Sequence, residues 1–91
     1  MDINEAIKAM KGGKQVRREN WSNRVLYYVP KASYAAMTDI AKGYADAQGK
    51  VNYKEYIADC EILGYHCGEV GIYQPTQEDI LAIDWEIYEN I

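Results

Sequence analysis

The sequence predicts an α+β domain: a small antiparallel sheet of about five strands with two main helices and a short third helix. Three observations carry this expectation. At the amino end, Ile3, Ala6, Ile7 and Met10 fall at i, i+3, i+4 and i+7, a helical period. Further on come short β-branched and aromatic runs, such as Val25 to Val29, separated by turns rich in Gly, Pro and Asn. Near the carboxyl end, Y-Q-P-T-Q-E-D-I-L-A-I-D-W from Tyr73 to Trp85 stops a strand at a Pro and starts a helix at a Thr. Residues 1–91 read as one domain with no repeat or linker.

In chain order, Asp2 and Glu5 form a D-x-x-E capping box for the first helix, and Gly12 with Gly13 ends it. A strand follows from Lys14 to Arg18. The polar run Glu19 to Arg24, E-N-W-S-N-R, is a turn. Val25 to Val29, apolar on both faces, reads as a central strand covered on both sides, and Pro30 terminates it. Ser33 is the candidate N-cap of a second helix, with Met37, Ile40, Ala41 and Tyr44 on its apolar face.

Val51 to Ile62 reads as strand with Tyr53, Tyr56 and Ile57 buried; its imperfect alternation leaves a bulge or two shorter strands open. Gly64 and Gly68 bracket a turn, and Glu69 to Tyr73 is the strand that meets Pro75. Thr76 caps the short third helix by accepting from the N–H of Asp79, while Glu78 and Asp79 place negative charge in its first turn. Ile80, Leu81 and Ile83 are its apolar contacts. Asp84 marks the turn into a last strand, Trp85 to Tyr88.

A chain of 91 residues leaves much of its surface unburied unless it oligomerises. Its nine Tyr and two Trp, with no Phe, give nearly every large ring a polar edge suited to wet interfaces and ligand pockets. The net charge of -4 argues against DNA or RNA as partners, which call for a basic footprint. Residues 1–45 hold eight Lys and Arg against four Asp and Glu, and residues 46–91 hold two against ten. That split can dock one half on the other or one protomer on the next, and it leaves Arg17, Arg18 and Arg24 as a cationic group. No signal or membrane segment is visible, so a cytoplasmic protein with reduced Cys60 and Cys67 is expected. Cys60, His66 and Cys67 fall short of the four ligands of a structural zinc site, so neither metal nor cofactor is expected.

Two motifs, A-I-K-A-M-K-G-G-K-Q-V-R-R-E-N-W from Ala6 to Trp21 and P-T-Q-E-D-I-L-A-I-D-W from Pro75 to Trp85, resemble a small phage and prophage family that includes the second type of Thoeris anti-defence protein. The middle, Pro30 to Gly68, carries no such resemblance. The resemblance implies a sponge that sequesters a cyclic ADP-ribose signal without degrading it, acting as a homo-oligomer: a homotetramer first, a dimer second.

The expected site lies where the Trp21 turn meets the Tyr73 to Asp79 turn. Trp21 or Tyr73 would stack on a base, Arg18 and Arg24 would face phosphates, and Asn23, Thr76 and Asp79 would bond to ribose or base edges. The family often has Gly where Asn23 stands and Trp where Tyr73 stands. Taken alone, Trp21 reads better as a lid on the core; its neighbours Arg18, Asn23 and Arg24 turn the reading towards a stacking face. Two other functions stay open: an enzyme cleaving a cyclic nucleotide with Asp79 or Asp84, and an interaction domain without a nucleotide. Binding without turnover is preferred, because Asp79 and Asp84 read more simply as charges at the ends of a short helix.

Overall fold

A computed structural model describes residues 1–89. The elements are α1 (Ile3–Lys11), β1 (Gln15–Arg18), β2 (Arg24–Val29), β3 (Ala32–Ala35), α2 (Asp39–Tyr44), β4 (Lys50–Tyr53), β5 (Tyr56–Leu63), β6 (His66–Ile72), α3 (Gln77–Leu81) and β7 (Trp85–Tyr88). Five strands form an antiparallel sheet in the order β6-β5-β2-β1-β7, and β3 pairs with β4 in a separate ribbon. The α+β reading and its five-stranded antiparallel sheet are borne out.

Both capping boxes form. Asp2 accepts from the N–H of Glu5 at 2.8 Å while Glu5 accepts from that of Asp2 at 3.2 Å. Thr76 and Asp79 make the corresponding pair at the start of α3. At the end of α1 the Gly12 N–H closes on Lys8 and Ala9, and Gly13 takes a φ of 93°, which reverses the chain into β1. α1 then lies across one face of the sheet, where Ala6 and Met10 meet Val16, Leu26 and Trp85 to make the core.

Several expectations give way. Ser33 caps no helix; it lies in β3, and its hydroxyl bonds to Asn52 across the ribbon. Thr38 caps α2 instead, accepting from the N–H of Ala41 at 3.1 Å. That helix is only six residues long and buries none of them, so the second main helix is a short exposed one. Val51 to Ile62 divides into β4 and β5, in different sheets, and Tyr53 is half exposed. β2 is indeed the middle strand, but only Val25 and Leu26 in it are buried: Leu26 joins the core under α1, and Val25 lies on the opposite face. Ile80, Leu81 and Ile83 point mainly to solvent, and α3 is anchored through Asp79 instead.

Cys60 and Cys67 are joined as a disulfide rather than standing as separate thiols. The sequence does not show that β5 turns straight back into β6 at Gly64. The register shift between Glu61 and Ile62 then brings the two Cα atoms to 5.8 Å, within bridging range. No helix among the described residues is long and apolar enough to cross a membrane.

Candidate functional site

Strand β1 brings Arg18 under α3, and there its guanidinium is fully engaged. Nε and Nη2 donate to the two oxygens of Asp84 at 2.7 and 3.3 Å, and Nη1 donates to Asp79 at 3.1 Å. Glu78 adds a weaker contact at 3.5 Å. The charge split along the sequence is thus resolved within the chain for all three arginines. Arg17 pairs with Glu86 at 2.8 Å and lies over the Tyr88 ring, and Arg24 forks onto both oxygens of Asp59 at 2.9 and 2.7 Å. Such bidentate pairs fix the plane of a guanidinium as well as its position.

Asp79 is the hub. Its side chain is buried, and besides Arg18 it accepts from the Tyr73 hydroxyl at 2.8 Å and the Thr76 N–H at 3.4 Å. Its backbone carbonyl takes the indole N–H of Trp85 at 3.0 Å. Burial alone would raise the pKa of this carboxyl; the bonds from Tyr73, Arg18 and Thr76 outweigh burial and hold it below the ordinary carboxylate value. Asp84 is lowered chiefly by its bond from Arg18. The Tyr73 hydroxyl is pushed above its ordinary value, first by burial and then by donating to Asp79.

Aromatic rings join this hub to the surface. Trp85 meets Trp21 edge-on at 5.3 Å and Tyr73 edge-on at 6.5 Å. Arg24 lies 4.0 Å over the Trp21 ring and 5.8 Å from that of Tyr73. Trp21 is half-buried, so it is at once a lid on the Trp85 end of the core and a platform for a cation. Beyond Arg24 opens a shallow cleft of about 470 Å³ lined by Asn23, Arg24, Asp59, Glu61, Glu69 and the β6 segment Val70 to Ile72.

All seven residues singled out from the sequence fall in one neighbourhood, in two layers. Asn23 and Arg24 line the cleft, with Trp21 and Tyr73 against Arg24. Arg18, Thr76 and Asp79 form the hydrogen-bonded layer behind them. Thr76 uses its hydroxyl to accept from the Asp79 N–H at 3.1 Å. Sequence reasoning missed Asp59, which fixes Arg24, and Trp85, which spaces the rings. Asp59 has no local signal because its partner is 35 residues away. Trp85 was visible as the closing residue of a motif.

Two comparisons with known proteins bear on the family of this chain. A family model described as the Thoeris anti-defense 2-like domain matches residues 1–88. The chain is also similar to "Thoeris anti-defense 2" of Bacillus phage SP01, 26% identical over 87 residues, covering 96% of this chain and 93% of that protein. Because the match runs from α1 through the capped Thr76 turn to β7, this chain belongs to the Thoeris anti-defense 2-like domain family.

Proposed function

We propose that this protein is a phage sponge for a cyclic ADP-ribose isomer or a related cyclic nucleotide, which it holds without degrading it in the bacterial cytoplasm and so keeps from the Thoeris effector. Family membership supports the anti-Thoeris role. The observation that carries the binding reading is the Arg24 guanidinium stacked on Trp21 at the mouth of an open cleft. A base would stack against the ring, and a phosphate would meet the Nη1 donors of Arg24, whose Nε and Nη2 are held by Asp59.

In this reading Trp21 and Tyr73 offer the rings, Arg24 faces phosphate, and Asn23 bonds to ribose or a base edge. Arg18, Thr76 and Asp79 hold the Tyr73 turn in place from behind. What favours holding over cleaving is the state of the two candidate acids. Arg18 engages both Asp79 and Asp84 and keeps them ionised, which suits structure better than proton transfer. The working form is a homotetramer, with a dimer as the alternative.

The test is direct. The protein is incubated with cyclic ADP-ribose isomers, freed of unbound ligand and heat-denatured, and the supernatant is analysed. Intact ligand is the expected result; fragments would mean an enzyme, and an empty supernatant an interaction domain. Stacking contributes about 1 to 3 kcal/mol per base. Trp21→Ala should therefore weaken binding roughly 5- to 150-fold in a calorimetric titration. Unchanged affinity would remove Trp21 from the site.

A further inference from the structure

Strand β6 holds two glycines, and they are there for different reasons. A glycine inside a strand is costly, because it gives up more chain entropy on folding than any other residue and offers no side chain to pack. Gly68 has its reason within the chain. It is the extra residue at the register shift, where Cys67 faces Ile62 and Glu69 faces Glu61, and a methyl group placed on it would run into the Leu63 side chain. Gly71 has no such reason. It faces Asp59 in an unbroken stretch of the ladder and its φ is not positive. A methyl group placed on it would meet nothing within 4 Å among the described residues.

What Gly71 has is a position. It lies in the floor of the cleft, and by alternation Glu69 of β6 and Asp59 and Glu61 of β5 share its face. Arg24 reaches over from β2, with Nε and Nη2 held by Asp59 directly across from Gly71, and its guanidinium lies 5.8 Å from the Tyr73 ring. A side chain at position 71 would stand between those of Glu69 and Tyr73 and fill the cleft. In a strand, a glycine that neither a bulge nor a tight contact requires marks the close approach of something from outside.

The charges of the floor say which part of a nucleotide that is. Arg24 supplies one cation against the carboxylates of Asp59, Glu61 and Glu69. A phosphate laid on Gly71 would meet net negative charge, whereas a ribose brings O–H donors, and ionised carboxylates only accept. We propose that Gly71 is a specificity-determining residue: the ribose of the nucleotide rests directly on the β6 backbone there, and the missing side chain is what admits it. The inference rests on the nucleotide reading of this cleft and adds the surface that the sugar touches.

Full-length Gly71→Ala and Gly71→Val are compared with the wild type by calorimetric titration with cyclic ADP-ribose isomers, beside thermal melting and sedimentation. Both replacements suit a strand better than glycine, so both proteins should melt at or above the wild-type temperature and sediment as the wild type does. Affinity should nevertheless fall in order of side-chain size, by roughly 5- to 150-fold for Val. A glycine with a purely structural role cannot give lost affinity without lost stability. A Gly71→Val protein that binds as tightly as the wild type would overturn the proposal and leave the nucleotide reading standing. Lost affinity joined to a lower melting temperature or altered sedimentation would also overturn it, by placing the role of Gly71 in the fold or the assembly. A wild type that binds no isomer would remove the reading and the proposal together.

Discussion

Replacing Asp79 with Asn changes no volume and one charge, which makes it the sharpest probe of the hub. The Asp79 side chain is 7% exposed. Oδ1 serves Arg18, and Oδ2 serves the Tyr73 hydroxyl and the Thr76 N–H. Asn has one acceptor where Asp has two. If its amide nitrogen faces Arg18, donor meets donor and the ion pair is lost. If it faces the other way, the Thr76 N–H loses its acceptor and Tyr73 must turn its hydroxyl.

Either orientation strands at least one donor that has little water around it. A bond to a charged group contributes about 1.5 to 3 kcal/mol, and an orphaned buried group costs about 1 to 3 kcal/mol. These effects overlap, so the expected destabilisation is about 3 kcal/mol. For a domain of this size that lowers the melting temperature by roughly 12 to 24 °C. Urea unfolding at neutral pH, read beside calorimetric melting, measures both quantities. A loss below about 1 kcal/mol would show that the carboxylate is dispensable and that Trp85 packing alone holds the Tyr73 to Asp79 turn.

Thr76→Ala removes the cap of α3 and should destabilise the protein by about 1 kcal/mol, seen as a small fall in the urea midpoint with an unchanged slope. Asp79 and Asp84 have folded pKa values below their ordinary 3.8. The stability they contribute is therefore present above that pH and lost as the pH falls through the folded values, and Asp79→Asn should flatten this acid limb in melts taken across it. Tyr73 behaves in the opposite sense: its hydroxyl is raised above 10.0, so its contribution is complete below that pH and lost as the pH climbs beyond it. Tyr73→Phe should remove that alkaline loss, and a Tyr73→Phe protein that still loses stability as the wild type does would place it elsewhere.

Features set by neighbours in sequence were legible. The boxes Asp2–Glu5 and Thr76–Asp79 each span three residues, and the Gly12–Gly13 stop sits beside the helix it ends. Features set by distant partners were not. Ser33 looks like a cap until Asn52 pairs with it across the ribbon, and the helical period expected from Met37 holds only over Ile40 to Tyr44, because Thr38 sets the start of the helix. Arg18 and Arg24 do fall in one neighbourhood with Trp21 and Tyr73, yet nothing local tells that Arg18 is closed by carboxylates 61 and 66 residues on. Asp79 and Asp84 read as helix-end charges for the same reason: their second role depends on where β1 passes beneath them.

Residues 30–55, an arm of β3, α2 and β4 inserted at the tip of the β2–β5 hairpin, also bear on how the chain reaches its fold and how freely it can change. The two legs can zip together only after residues 30–55 have closed as a loop, but each doubling of such a loop adds only about 0.6 kcal/mol of entropic cost. The arm can therefore be lengthened, shortened or rewritten with little penalty to the body. A one-residue slip within β2 or β5, by contrast, would turn Leu26 out of the core and Val25 into it. Selection is thus free to remodel the arm while the two turns that bring Trp21, Arg24 and Tyr73 together stay in register.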